Sequence, residues 1–201
     1  MKCSALSRLV TLVLFLMVAV GSLAACGQSD GGSGSGGRSL RAKAAVEGEP
    51  GSGISGDVTF VEAPPGRNLP TPGVRVVARL RGLTDGRRQG FHIHEKGTCE
   101  PPFMSAGGHF DPGPSGNSNP DDNHPFHLGD LPNLEVGKGG IGRLSYTTSR
   151  VTLSPGPLSV FDADGSAVIL HQDEDRGVPG QMGASGGRRV ACGVIRLRRE
   201  G

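Results

Sequence analysis

With 35 glycines and 15 prolines among 201 residues, the chain has few windows in which an α-helix can run. Each interior glycine costs about 1 kcal/mol relative to alanine and each interior proline about 3, and no long segment repeats its apolar residues every 3.6 positions. A two-residue period is present instead. Val74, Val76, Ala78 and Leu80 alternate with Arg75, Val77, Arg79 and Arg81. Successive strand side chains point to opposite sides, so this is the pattern of a strand with one buried face. Six further windows read as strands: 40–47, 54–62, 89–95, 140–147, 166–171 and 189–196. Gly, Pro and Asp clusters at 49–53, 64–72, 154–157 and 162–165 lie between them. Many short strands broken by turn residues predict an all-β sandwich or barrel. Two stretches, 97–136 and 172–188, are too long for plain turns and are expected to be functional loops.

Not all of the chain belongs to that domain. Residues 1–25 read as a targeting segment: Lys2 and Arg8 supply positive charge, and 9–20 is an uncharged apolar run too short to span a bilayer comfortably. Leu23-Ala24-Ala25-Cys26 resembles a bacterial lipobox, which implies cleavage before Cys26 and a lipid on that cysteine. An ordinary cleaved signal peptide is the alternative. Residues 26–40 form a Gly/Ser tether behind the lipidated cysteine, and 41–201 is the folding unit. The expected location is extracytoplasmic, anchored to a bacterial membrane, in the periplasm or at the cell surface. Taking Lys2 and Arg8 from 21 basic residues leaves 19, equal to the 19 acids. That balance, with no Trp and Tyr146 as the single tyrosine, argues against a nucleic-acid partner. Of four cysteines, Cys3 leaves with the leader and Cys26 takes the lipid. Cys99 and Cys192 remain, and an oxidising compartment favours their disulfide over two buried free thiols.

The chain has six histidines. His92 and His94, in GFHIHE, share one side of a strand and turn Phe91 and Ile93 to the core. GHFDP contains His109, and NHPFHLGD contains His124, His127 and Asp130. Three imidazoles (His109, His124, His127) with the Asp130 carboxylate make a tetrahedral set suited to zinc. His171 closes the apolar run AVILH. With His92, His94 and His109 it makes an all-imidazole set suited to copper. His109 belongs to both sets and would bridge the ions as an imidazolate. Any one of these histidines could be an exposed loop residue; six drawn into two sets favour metal binding.

The stretches GFHIHEKGTC, SAGGHFDP, HLGDLPNL, VILHQDED and GGRRVACGVI resemble, in the same order, the signature segments of the copper–zinc superoxide dismutase family, over about residues 42–197. The resemblance implies an eight-stranded antiparallel Greek-key β-barrel, an immunoglobulin-like sandwich with two long functional loops. It also implies one copper and one zinc per subunit, and an oxidoreductase that converts superoxide to O2 and H2O2. By that resemblance His92, His94, His109 and His171 match the copper ligands, and His109, His127 and Asp130 the zinc ligands. Cys99 and Cys192 match the disulfide, and Arg189 the arginine beside the copper. Asp175 matches an aspartate that accepts hydrogen bonds from one imidazole at each metal. One position departs from the family pattern. A zinc histidine is common about eight residues after the bridging one, where this chain has Asn117. His124 is therefore taken as the third zinc histidine, with a three-ligand or empty zinc site as the alternative. The family includes monomers and dimers, and a homodimer stays open.

The expected mechanism alternates copper between Cu(II) and Cu(I). His109 releases the reduced ion and takes up a proton, and Arg189 guides the anion. Three other readings compete. A non-catalytic copper-binding or delivery protein on the same barrel would favour Met or Cys ligands. A zinc hydrolase would need an open zinc position, which a third histidine beside Asp130 would close. A cell-wall interaction module that had lost its metals would not need to keep six histidines.

Overall fold

The alternation seen in the sequence becomes a set of long strands: β1 (Leu40–Gly48), β2 (Ser55–Ala63) and β3 (Gly73–Arg81). The computed structural model describes residues 39–63, 73–113, 116–119 and 125–198. The leader, Cys26, most of the tether and His124 fall outside them. Further along come β4 (Arg88–Gln89), β5 (Phe91–His94), β6 (Leu134–Gly137) and β7 (Ile141–Thr148). The last are β8 (Ala167–His171), β9 (Arg189–Val194) and β10 (Arg196–Leu197). The seven expected strand windows are all present, shifted by a residue or two at their ends. The first long loop is shorter than the expected 97–136, because its last residues form β6.

These ten segments are eight strands. β4 and β5 are one run interrupted at Gly90, and β9 and β10 one run interrupted at Ile195. The second continuity is visible in the register: Ala42 opposes Leu197, Lys43 opposes Arg196, and Glu47 opposes Cys192 along a single antiparallel ladder. The sheet order is β4-β6-β7-β3-β2-β1-β9-β8-β5. Because its first and last members belong to the same run, the sheet closes on itself. All the strand pairs are antiparallel. β3 pairs with β7 rather than with the next strand in sequence, so the chain leaves β3 and crosses the β6–β7 hairpin before re-entering the sheet, as in a Greek key. The expected all-β barrel is therefore the observed fold.

The inward face of each strand supplies the core. Val58, Phe60, Val76, Leu80, Phe91, Ile93, Leu134, Val168 and Leu170 are fully buried, each large side chain stabilising the fold by roughly 1.5–3 kcal/mol. A smaller cluster of Phe103, Ala106, Ala167, Ile169 and Cys192 lies on the opposite face of β8 and β9. It seats the loop carrying the short 3-10 helix Met104–Ala106 on the outside of the barrel. The Cys99–Cys192 disulfide secures that loop to β9.

Gly90, where the β4–β5 run breaks, lets another loop approach. Its N–H donates to the Asp173 carbonyl at 2.8 Å and its own carbonyl accepts from the His171 N–H at 2.8 Å. A Cβ there would lie 2.8 Å from the Ser185 carbonyl oxygen and 3.2 Å from the His92 ring. Only glycine brings the 172–188 loop this close to the strand bearing His92.

Candidate metal centre

β5 is a four-residue strand buried on both faces. Phe91 and Ile93 enter the core, as the alternation predicts, and His92 and His94 emerge on the other side beneath the loops. One edge of β5 pairs with β8, placing His92 opposite Ile169 and His94 opposite Ala167. The other edge is covered by the first long loop. There the Ile93 N–H donates to the Gly129 carbonyl, and the Ile93 carbonyl accepts from the Phe110 N–H, both at 2.9 Å. Two isolated bridges follow: His94 opposes His109 and His92 opposes Asp130. Residues some 15 to 40 positions apart in sequence thus become neighbours, and His109 stands between β5 and the segment bearing His127 and Asp130.

The outcome is two adjoining ligand groups. His92, His94, His109 and His171 each offer a nitrogen within 4.8 Å of the others, and His109, His127 and Asp130 do the same. All six residues are buried. In each ring of the first group one nitrogen is tied to the protein. His92 Nε2 is 2.9 Å from Asp175 Oδ2, His94 Nδ1 3.0 Å from the Gly107 carbonyl, His109 Nδ1 2.7 Å from Asp130 Oδ1, and His171 Nδ1 2.9 Å from the Gly187 carbonyl. The remaining nitrogens, His92 Nδ1 and the Nε2 atoms of His94, His109 and His171, are buried and make no hydrogen bond with the described residues. A buried polar atom without a hydrogen bond is costly. Four of them converging from rings already oriented by a second contact fit a bound transition metal. In the second group His127 Nδ1 lies 3.1 Å from Asp130 Oδ2, so a carboxylate and two imidazoles face one another.

Electrostatics agree with that fit. Burial is the first cause holding His94 and His171 well below the ordinary imidazole pKa, followed by neighbouring rings and the Arg189 charge. Burial, then the charge of His92, brings His109 down to about 3, against the opposing pull of Asp130. His94, His109 and His171 are therefore neutral, the form in which imidazole binds a metal.

Arg189 is itself buried, 7% exposed. Its Nη1 donates to the Phe103 carbonyl at 2.8 Å and its Nη2 to the Gly107 carbonyl at 2.6 Å. The Gly107 carbonyl also receives His94, so one oxygen positions both groups. Burial lowers the Arg189 pKa from its usual value, and Glu95 opposes the shift. Asp175 is held by Asn133 through two bonds of 2.9 Å, Nδ2 to the Asp175 carbonyl and the Asp175 N–H to Oδ1. Gln89 Nε2 donates to the His171 carbonyl at 2.7 Å. Neither Asn133 nor Gln89 was expected. Asn133 had a local cue, standing just before β6 in the DLPNL segment; Gln89 had none. Asn117 is exposed and its N–H caps Asp111 Oδ2 at 2.9 Å, which suits a loop-forming role at the position where the family commonly has a histidine. His124 lies outside the described residues.

The family profile described as "Copper/zinc superoxide dismutase (SODC)" matches residues 54–195. The chain belongs to the copper/zinc superoxide dismutase family. Among its relatives, the Superoxide dismutase [Cu-Zn] of Deinococcus radiodurans is 38% identical over 153 residues, covering 71% of this chain and 77% of that protein. The Extracellular superoxide dismutase [Cu-Zn] of Drosophila melanogaster is 35% identical, covering 72% and 77%. The crystal structure of a SOD-like protein from Bacillus subtilis superposes with a TM-score of 0.62 at 31% identity, over 76% of this chain and 96% of that one. Membership makes copper and zinc the cofactors of this superoxide dismutase, and the two ligand groups fit them.

Proposed function

We propose that the protein dismutes superoxide outside the cytoplasm, at a copper held by His92, His94, His109 and His171. Zinc is held alongside by His109, His127 and Asp130, with His124 as the fourth zinc ligand. The observation that carries this reading is the convergence of four buried imidazoles, each offering a nitrogen within 4.8 Å of the others. In the overall reaction two superoxide ions and two protons give O2 and H2O2. Copper supplies the one-electron couple, and zinc a fixed divalent charge beside it. The chain does the rest. Asp175 and the Gly107 and Gly187 carbonyls fix three rings, and Asp130 fixes the fourth. His109 Nε2 is the atom at which a proton can be held beside the anion. Arg189 lines the same pocket as His171 and supplies a permanent positive charge with its fork anchored on two carbonyls. Such a field raises the encounter rate with a small anion.

The location is read from the lipobox at Cys26, in accord with relatives named as extracellular and with a disulfide, which persists in oxidising compartments. A second reading, a non-catalytic copper-binding or delivery protein, is favoured by a relative named "Superoxide dismutase-like protein YojM" from Bacillus subtilis, 39% identical over 127 residues. Elemental analysis and superoxide decay on one metal-reconstituted sample decide between them. Stoichiometric copper and zinc with rapid decay, abolished by removing copper, is expected. Full copper loading without accelerated decay would overturn the enzymatic reading in favour of the second.

A further inference from the structure

His171, a member of the four-imidazole group, lines a pocket of about 390 Å3 together with Pro102, Met104, Gly183, Arg188 and Arg189 among others. The chain has four methionines. Two of them, Met1 and Met17, belong to the leader. The other two, Met104 and Met182, are among the most exposed large apolar residues of the described chain, at 66% and 89%. Methionine is ordinarily a buried residue that fills gaps in cores, yet this core is filled with Val, Leu, Ile and Phe. Both exposed methionines instead belong to segments that border the same opening. Met104 lines it directly, on the short 3-10 helix, and Met182 immediately precedes the lining Gly183.

The opening has two conflicting tasks. During turnover it admits an anion, which Arg189 favours, while Arg188 is paired with Glu49. During assembly it must admit a copper cation, which the Arg189 guanidinium repels. Charge attraction is thus poorly placed to draw the metal in, and a neutral, polarisable donor escapes the conflict. Thioether sulfur is such a donor and selects Cu(I) over zinc and other harder ions. We propose that Met104 and Met182 are a Cu(I) entry site at the pocket mouth, passing the ion to His171, which lines the pocket and also belongs to the four-imidazole group. The inference rests on the copper-site reading above. It assigns copper loading to the reduced ion and leaves zinc to enter unaided.

The test follows metal uptake by the metal-free full-length protein, comparing the unaltered chain with Met104→Leu, Met182→Leu and the double variant. Cu(I) is presented as its bicinchoninate complex, and Cu(II) as its glycine complex. In the double variant Cu(I) uptake should slow by roughly tenfold or more, the change made by losing an interaction of about 1.4 kcal/mol. Cu(II) uptake, zinc uptake and final copper stoichiometry should be unchanged. Cu(I) uptake unaltered in the double variant, or Cu(II) uptake slowed equally, overturns the entry site and leaves the copper-site reading standing. An unaltered protein that takes up neither oxidation state overturns the copper-site reading and the entry site with it.

Discussion

Replacing Cys99 and Cys192 together with serine is expected to destabilise the metal-free protein by about 4.7 kcal/mol. The disulfide spans a sequence separation of 93, and loop-closure entropy for a cross-link of that span gives this figure. Two structural features bear on it. Cys192 sits in the middle of the sheet, opposite Glu47 of β1 and Ile169 of β8, so one end of the link is immobile in the native state. It also lies among Phe103, Ala106, Ala167 and Ile169, where a serine hydroxyl adds a desolvation cost of about 1 kcal/mol. For a folding unit of about 160 residues, a loss of this size lowers the Tm by about 14 °C. Urea titrations and thermal melts of the oxidised protein and the double variant, both metal-free, measure it. The urea m value should rise as well, because an unlinked chain exposes more surface when it unfolds. A loss below about 1.5 kcal/mol would refute the loop-closure reasoning.

Three other outcomes are expected. Glu62 is buried and accepts from the Leu153 N–H at 2.8 Å, the Ser154 N–H at 2.6 Å and the Ser154 hydroxyl at 2.8 Å; Glu62→Ala should cost about 3 kcal/mol in urea unfolding, and a cost near zero would show that water replaces the carboxylate. Arg189→Glu should lower the bimolecular rate with superoxide by about tenfold or more and flatten its decline with salt, while Arg189→Lys keeps part of the rate; stopped-flow decay at several ionic strengths reads both. In the metal-free protein, stability should fall as the pH drops from about 6.5, because His94, His109 and His171 stay neutral when folded but protonate when unfolded. Each of these groups contributes about 1.4 kcal/mol per pH unit, in the His109 case down to its folded value of about 3. A urea midpoint that holds constant between pH 7 and pH 5 would contradict the burial of neutral rings.

The long strands were legible because period-two alternation survives wherever one face meets water: β3 buries Val74, Val76, Ala78 and Leu80 and exposes its arginines. The four-imidazole group was legible for a related reason. His92 and His94 stand two apart on a strand, so their convergence follows from backbone geometry, and His171 ends a strand adjacent to them. β6 escaped detection because four residues following Pro132 and Asn133 carry too short a pattern to stand out from a loop. The grip of Arg189 on the Phe103 and Gly107 carbonyls was equally hidden. It joins residues more than 80 positions apart through backbone oxygens, and a carbonyl exists at every residue, so no side-chain pattern marks the two that are used. Gln89 escaped for the same reason, since it binds the main chain of His171 and Gln172.

The interruption at Gly90 has a wider consequence. The run it divides is the seam at which the barrel shuts, joined to β6 before the break and to β8 after it. His92 and His94 stand on β5 just after the break, and His171 ends β8, its hydrogen-bonded neighbour. An ion gripped by all three would pin β5 to β8 beside the closure, so that parting those strands and releasing the ion become one event.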